Sequence, residues 1–600
     1  MADIQSNRII STRRYLAWSA VVLGAVAMVI FTTPAFALEE NVYRQFLGID
    51  SRRLIWFLAQ MHLFFGAFVL GVPLFAVIIE VVGWKNKDPK FDKLAYEFTS
   101  LLSVAYATTA ALGGLLAFAL FTLYPTFMGY MAGIFKDIMF MYALLFFGET
   151  FALYLYYYGW NWLKSDKPFA PKLQWLFKAL GLVVAAFGLA FAFGLVGPEM
   201  RVDTRWFFLL LYITPTAVGL LIIKDPKSSH IFIGILLNVF GTAIMQLANS
   251  WAGFMMSPVG VDGEGVFVGT VWEAFQNILA TPIAIHRMLG NLAFGGLVAG
   301  SYAAVKFLSS KTPEEKAHYD WMGYISNLVA IAALIPLPFA GYYLAAEIYA
   351  YSQQMGITLM GGIFAWLFII QAVLIGTLFL SANYYLWCGM GRSDGAQRYN
   401  KYVKYLAVAL VGAFLVWFTP HTLVLTNEEL KALGGPYHKY LGPLGIMPAK
   451  NTAVNLMILF TALSFMFYRR ANKIATVSWV KAGNAIQVAL FMTGIINIFF
   501  LGIYYGYFTN TVYKVAASIP QVMTTLIVIV VSVVIDSFMY RRSEQIGPLH
   551  WGRVPERSQY ALFLLAVSFT WLMGLMGYIR SAGRLEWHIH DLMQDQSPWA

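Results

Sequence analysis

Apolar runs of about twenty residues recur along almost the whole chain, separated by short polar breaks. That is the length an α-helix needs to cross the hydrocarbon core of a bilayer, at a rise of about 1.5 Å per residue. The first run, Tyr15–Leu38, follows Arg8, Arg13 and Arg14 and ends in Ala35-Phe36-Ala37. A basic start, an apolar stretch and small residues at the end read as a signal peptide over 1–37. An additional, uncleaved transmembrane helix is the alternative reading. About fourteen further runs are long enough to span, near 52–84, 97–124, 137–163, 173–197, 205–223, 230–254, 275–307, 321–348, 360–389, 403–420, 452–468, 482–506, 518–540 and 559–579. The pattern predicts an all-α polytopic integral membrane protein without a soluble domain or a low-complexity linker.

The breaks alternate in charge. WKNKDPKFDK, KSDKPFAPK, KDPKSSH, KFLSSKTPEEK, GRSDGAQRYNKYVK, YRRANK and YRRSEQ fall on one side, which their Lys and Arg make the cytoplasmic side. YPTFMGYMAG, GPEMRVDTR, SPVGVDGEGVF, YSQQMG, the stretch 421–451, FTNTVYK and the C-terminal tail fall on the other.

Composition agrees with this layout. The 600 residues are 59% hydrophobic and only 12% charged, against about 25% charged in a soluble domain. The net charge of +11 sits in the short breaks, where it sets topology, and does not point to nucleic acid. Cys388 is the one cysteine, so the chain cannot form an internal disulfide or a C-x-x-C-H haem attachment. Any haem has to be held non-covalently.

Two ionisable residues interrupt the apolar runs. His62 lies in FLAQMHLFFGAFVLGVPLFAVIIEVV and Glu149 in DIMFMYALLFFGETFALYLYYYGW. Such groups cost about 2.5 to 3.5 kcal/mol at membrane depth and mark cofactor sites, ion paths or proton relays. Of nine histidines, His230, His318 and His550 fall on the cytoplasmic side and read as solvated loop or helix-end residues. The rest lie toward the opposite side: His62, His286, His421, His438, His588 and His590. Histidines at one depth fit a row of cofactors near the outer face, since imidazole is a common axial ligand of haem iron. A hydrogen-bonded packing role is the alternative for each. Arg287 follows His286, and Arg580 and Arg584 lie at an outer helix end, where they suit haem propionates or snorkel to the interface.

From about residue 54 to 308 the chain resembles subunit I of the cytochrome bd-type quinol oxidases. QMHLFFGAFVLGVPLFAVIIEVV resembles that family's first helix, and His62 falls on its haem-ligating histidine. LLFFGETFALYLYYYGW resembles the third helix, and Glu149 falls on a glutamate beside the haem pair that passes protons. QLANSWAGFMMSPVG, with Asn249, Trp251 and Pro258, resembles a further element, and ATPIAIHRMLGNLAFGGLVAGSYA matches the helix bearing the low-spin haem histidine.

The chain also departs from the family. The low-spin histidine falls on Gly290, with His286 one turn nearer the outer surface. A second family glutamate falls on Met141, and a haem-ligating glutamate near Gly574 if SAGRLEW, with Gly583 and Arg584, echoes the family's Gly-Arg-Gln-Pro. AYSQQMGITLM stands where the long quinol-binding loop belongs. Two helices, about 173–223, are inserted between the third and fourth family helices. The resemblance thus divides the chain into a haem-binding core over 38–320 and further helices over 321–600, where the methionine partner of the low-spin haem is not assignable and Met360 and Met457 are candidates.

The resemblance implies a bd-like terminal oxidase of a respiratory chain, an oxidoreductase in a bacterial cytoplasmic membrane with haem sites toward the periplasmic side. It implies more than one haem b, with haem d or copper as further candidates. His62 and His286 are the expected ligands, Arg287 and Arg584 the expected haem contacts, and Glu149 the expected proton relay. His421, His588 and His590 are candidate ligands of a second metal, copper included, and H-x-H in the tail is otherwise a solvated pair. The expected partners are oxygen, other membrane subunits, and a cytochrome c or quinol as electron donor. Two other readings stand beside this one: a haem b subunit that only passes electrons, and a proton-coupled transporter.

Overall fold

The structure, a computed structural model, describes residues 45–46, 49–163, 171–195, 200–352, 355–356, 365–418, 447–508, 518–584 and 587–594. The segment 1–37, His421, His438 and Met360 lie outside the described residues.

A two-stranded turn, β1 (Gln45–Phe46) with β2 (Ile49–Asp50), leads into the first helix. The chain then runs through α1 (Ser51–Asn86), α2 (Pro89–Leu123), α3 (Pro125–Leu163), α4 (Pro171–Ala192), α5 (Val202–Ile222), α6 (Pro226–Met256), the short α7 (Val271–Phe275), α8 (Ala280–Ser309), α9 (Pro313–Leu334) and α10 (Leu337–Tyr351). The second half comprises α11 (Ala365–Gly389), α12 (Gln397–Phe418), α13 (Met447–Arg470), α14 (Val480–Phe508), α15 (Ser518–Met539) and α16 (Arg557–Gly583). Among the described residues thirteen helices are long and apolar enough to cross a membrane, and a shorter apolar stretch, Lys178–Ala192, lies in α4. The all-α polytopic architecture is as the hydrophobic pattern requires.

At the Lys/Arg-rich end, three helices start with the same local chemistry. Asp88, Asp225 and Thr312 each cap a helix whose first residue is proline. The cap side chain satisfies an orphan N–H and proline has none to lose, so the start is fixed by sequence. Asp225 and Ser228 form a reciprocal capping box.

The opposite end departs from expectation. YPTFMGYMAG, expected as a loop, forms the first turns of α3, which breaks from helical geometry at Phe135 (φ −98°, ψ 16°). Phe127, Met128, Met131, Ile134 and Phe135 recur at helical spacing and are buried in an apolar layer with Leu247, Phe254, Phe275 and Ile589. Helical periodicity thus wins over the turn signals of Pro125 and the glycines. The tail hairpin, β5 (Trp587–Ile589) with β6 (Met593–Gln594), closes over this layer, and His590 N–H donates to Met255 O at 2.9 Å.

The helices sort into two bundles. In the first, α1, α2, α3, α6, α8, α9 and α16 share one core with part of α11. α1 and α8 cross closely in it, and a Cβ on Gly71 would collide with the Asn291 backbone. The second bundle packs α11 to α15 around a separate core. Side-chain hydrogen bonds tie its helices together: Gln521 to Thr452 (3.0 Å), Thr525 to Asn455 (2.7 Å), Asn383 to Thr461 (2.8 Å) and Arg470 to Asp536 (2.6 Å). Between lipid-facing helices such bonds supply cohesion that apolar burial does not. Strands β3 (Lys473–Ala475) and β4 (Ser543–Gln545) pair across the Lys/Arg-rich end of this bundle.

α16 returns to the first bundle and lies along α1. Gln60 rests on Gly577, Phe64 faces Gly574, Trp56 meets Tyr578 edge-on at 6.1 Å, and Arg52 donates to Ser581 O at 2.9 Å. The first and last membrane helices among the described residues therefore flank the same region.

Candidate functional site

His62 is half-buried on α1, eleven residues from its start, and faces α2. Its Nδ1 stands 3.0 Å from Thr109 O. A carbonyl oxygen only accepts, so Nδ1 carries the hydrogen and Nε2 keeps its lone pair. Nε2 makes no hydrogen bond with the described residues. Gly113 permits this seat: a Cβ there would stand 2.8 Å from His62 Cε1. Fixing the tautomer by a carbonyl behind the ring is how proteins orient a metal-ligating imidazole.

Arg287 on α8 lies close enough to His62, His286 and Arg580 for their charges to interact. Its Nη1 donates to Asn249 Oδ1 at 2.6 Å, and Asn249 is fully buried on α6. Among the described residues no carboxylate pairs with Arg287 or Arg580. Two guanidinium groups without a counter-anion at membrane depth leave room for an anionic group. His286 faces Gly341 of α10, where an added Cβ would stand 3.5 Å from its ring, and a Cβ at Gly290, one turn along, would meet no atom within 4 Å.

Glu149 on α3 is buried against Gly241 of α6 and Leu70 of α1; a Cβ on Gly241 would stand 2.7 Å from its Oε1. It accepts no hydrogen bond from the described residues. Tyr106 and Tyr142 lie close enough to feel its charge, and Tyr106 Oη lies 2.5 Å from Thr150 Oγ1. Leu70 is eight residues along α1 from His62, so Glu149 sits about 12 Å deeper toward the Lys/Arg-rich end.

The remaining candidates are scattered. Arg584 is buried, and its Nη1 donates to His588 O at 2.5 Å, holding the turn into the tail. The His588 ring sits between Tyr124 (4.4 Å) and Phe127 (4.9 Å). His590 Nδ1 lies 3.1 Å from Asp591 Oδ2. Among the described residues no three His, Cys, Asp or Glu side chains come together as a metal site. Met457 is buried in the core of the second bundle. Met141 is 39% exposed and Gly574 faces Phe64, so neither position supplies a carboxylate.

One histidine contradicts its expected setting. His230 is not a solvated helix-end residue but fully buried, because it closes on Glu80, itself fully buried near the end of α1 (Nδ1 to Oε1, 2.7 Å). Its Nε2 is 2.8 Å from Tyr156 O, Tyr156 O–H donates to Glu80 Oε2 at 2.7 Å, and Lys227 Nζ stands 2.8 Å from Glu80 and 3.0 Å from Asp92. His318 pairs with Glu97 at 3.1 Å and His550 with Asp394 at 3.2 Å, both at the Lys/Arg-rich end. Glu80 was discoverable as the lone acid in FAVIIEVVGW, an apolar run that should exclude it.

The family model of cytochrome bd terminal oxidase subunit I matches residues 51–195. This stretch holds His62, Glu149 and Glu80. No curated protein matches the chain. "The structure of bd oxidase from Geobacillus thermodenitrificans" aligns with 82% of this chain and 97% of that one, at 14% identity and a TM-score of 0.39, a likeness too loose to bear on the site. Over 51–195 the chain is thus similar to a subunit of a respiratory membrane oxidoreductase.

Proposed function

We propose that this chain is the haem-bearing subunit of a bd-like terminal oxidase, reducing oxygen in a respiratory membrane. The observation that carries the reading is the seat of His62: its Nδ1–H is committed to Thr109 O and its Nε2 lone pair is left for a metal, inside the region the family model matches.

The residues fit a haem. His62 Nε2 would hold the iron, Arg287 and Arg580 would offer charge for propionates, and the open space at Gly290 lies one turn from His286, which would hold a second haem. Haem bound there supplies iron that takes up electrons and, where a coordination position stays open, oxygen. The chain's own residues do the rest. Asn249 holds the Arg287 guanidinium in place. Glu149 holds a proton in a water-poor pocket and releases it toward the site. The Lys/Arg-rich end faces the cytoplasm and His62 lies toward the outer side. The short 350–360 segment in place of a quinol loop favours an outer-side donor, a cytochrome c or a partner subunit.

The positions of Met141 and Gly574 support a second reading, a haem b subunit that only passes electrons, because the carboxylates of an oxygen-reducing haem pair are missing there. A reduced-minus-oxidised absorption spectrum with and without carbon monoxide separates the two. A haem signal moved by carbon monoxide is the expected result and means an open position. An unmoved signal means six-coordinate electron transfer, and no haem at all returns the chain to the transporter reading.

A further inference from the structure

The buried Glu80–His230 contact holds a proton, and the bonding inventory requires it. His230 Nε2 faces a backbone carbonyl, Tyr156 O, at 2.8 Å, so Nε2 must carry a hydrogen. A neutral imidazole then has a bare Nδ1, and a bare Nδ1 would repel a carboxylate oxygen. Yet Nδ1 and Glu80 Oε1 are 2.7 Å apart. One further proton lies between them, on the ring or on the acid. The pair is thus a protonated unit with no exposed surface.

It has a mouth and an exit. At the Lys/Arg-rich end, Lys227 bridges Glu80 to Asp92, whose side chain is 40% exposed. On α2, Asp92 begins a line at seven-residue steps, Asp92, Thr99, Tyr106 and Gly113, which stays on one helix face with a drift of only about 20° per step. Gly113 ends the line against the His62 ring. Thr99 is buried, its hydroxyl donating to Ala95 O at 2.7 Å, and it lies near the Tyr156 hydroxyl that donates to Glu80. Ser103 falls on the same face, one turn on. Tyr106 then reaches Thr150, the neighbour of Glu149. Tyr156 and Glu149 are seven residues apart on α3, about 10 Å along the axis.

We propose that Glu80 and His230 form a proton-loading site that fills from the Lys/Arg-rich face past Asp92 and Lys227 and delivers along the Tyr156–Thr99–Tyr106 face to Glu149. In each transfer the proton shared by Glu80 and His230 leaves for the Glu149 carboxylate, and a solvent proton replaces it. The inference rests on the oxidase reading only for what Glu149 does with the proton afterwards.

The test therefore reads proton exchange rather than turnover. The full-length protein in lipid nanodiscs is mixed with deuterium oxide, and the Glu149 carboxyl stretch, identified as the infrared band lost in Glu149→Gln, is followed in time. In Glu80→Gln the exchange should slow about a hundredfold, the low end of what a positioned proton donor contributes. Tyr156→Phe, which removes one hydroxyl and leaves the charges paired, should also slow it, and Glu80→Asp should recover part of the rate. Exchange at the wild-type rate in Tyr156→Phe and in any folded Glu80→Gln overturns the loading site. So does the absence of a Glu149 carboxyl band. An unreactive haem with slowed exchange would instead sink the oxidase reading and leave the loading site standing.

Discussion

A methyl group at Gly113 would stand 2.8 Å from His62 Cε1 and 3.1 Å from Nδ1. The ring would have to swing away from Thr109 O, losing the bond that fixes its tautomer. Gly113→Ala should therefore shift or broaden the haem bands while the helices stay intact, and His62→Ala should remove a full haem equivalent, both read by pyridine haemochrome titration and circular dichroism. A full haem complement in His62→Ala would remove the ligand assignment. Glu149→Gln should keep all haem but slow oxygen consumption by about 10²- to 10⁴-fold, the range for a positioned proton donor. Undiminished turnover would take Glu149 out of the mechanism. His62 and Glu149 were legible in sequence because an apolar run makes any ionisable residue conspicuous. Thr109 O and Gly113 were not, since a backbone carbonyl and a missing side chain leave no chemical mark. His230 was misread because it stands four residues from the start of its helix, where solvent is the default, and nothing local reveals that Glu80, 150 positions earlier, covers it.

The elements themselves followed from period and caps. Fourteen apolar runs gave helices, and aspartate–proline or threonine–proline pairs marked three starts at the Lys/Arg-rich end. The opposite ends were harder, because α3 begins with residues that also suit a turn, and their burial against α6, α7 and the tail hairpin favours the helix. The contact between α1 and α8 is the one on which the site depends, since these helices carry His62 and His286. It needs Gly71 against the Asn291 backbone. Gly71→Leu should force the two helices apart and cost about 1 to 3 kcal/mol, the usual penalty of overpacking. Thermal denaturation should show the loss, with weakened haem retention alongside. A melting temperature equal to wild type, with haem intact, would mean that the crossing has slack.

At the scale of the molecule, two bundles with separate cores must be held in one arrangement, and a buried ion pair joins them at the Lys/Arg-rich end. Asp320 comes from α9 of the first bundle and Arg392 from the turn that follows α11, with Nη2 to Oδ1 at 2.5 Å and Nε to Oδ2 at 2.8 Å. Tyr468 of the second bundle accepts from Arg392 at 3.1 Å, and Gly552 N–H donates to Asp320 at 2.9 Å. Both charges are 1% exposed or less. Removing one partner strands the other, at about 3 to 5 kcal/mol, whereas replacing both by apolar residues of similar size is often neutral or stabilising. Asp320→Leu should therefore lower thermal stability steeply, and Asp320→Leu with Arg392→Met should recover most of it. The informative readout is then the haem spectrum of the double variant. If the pair only fixes how the bundles dock, the spectrum should stay as in wild type, because His62, His286 and Arg287 all lie in the first bundle. A changed spectrum in a stable double variant would mean that the second bundle bears on the haem pocket, and that the division between the two halves is one of packing but not of function.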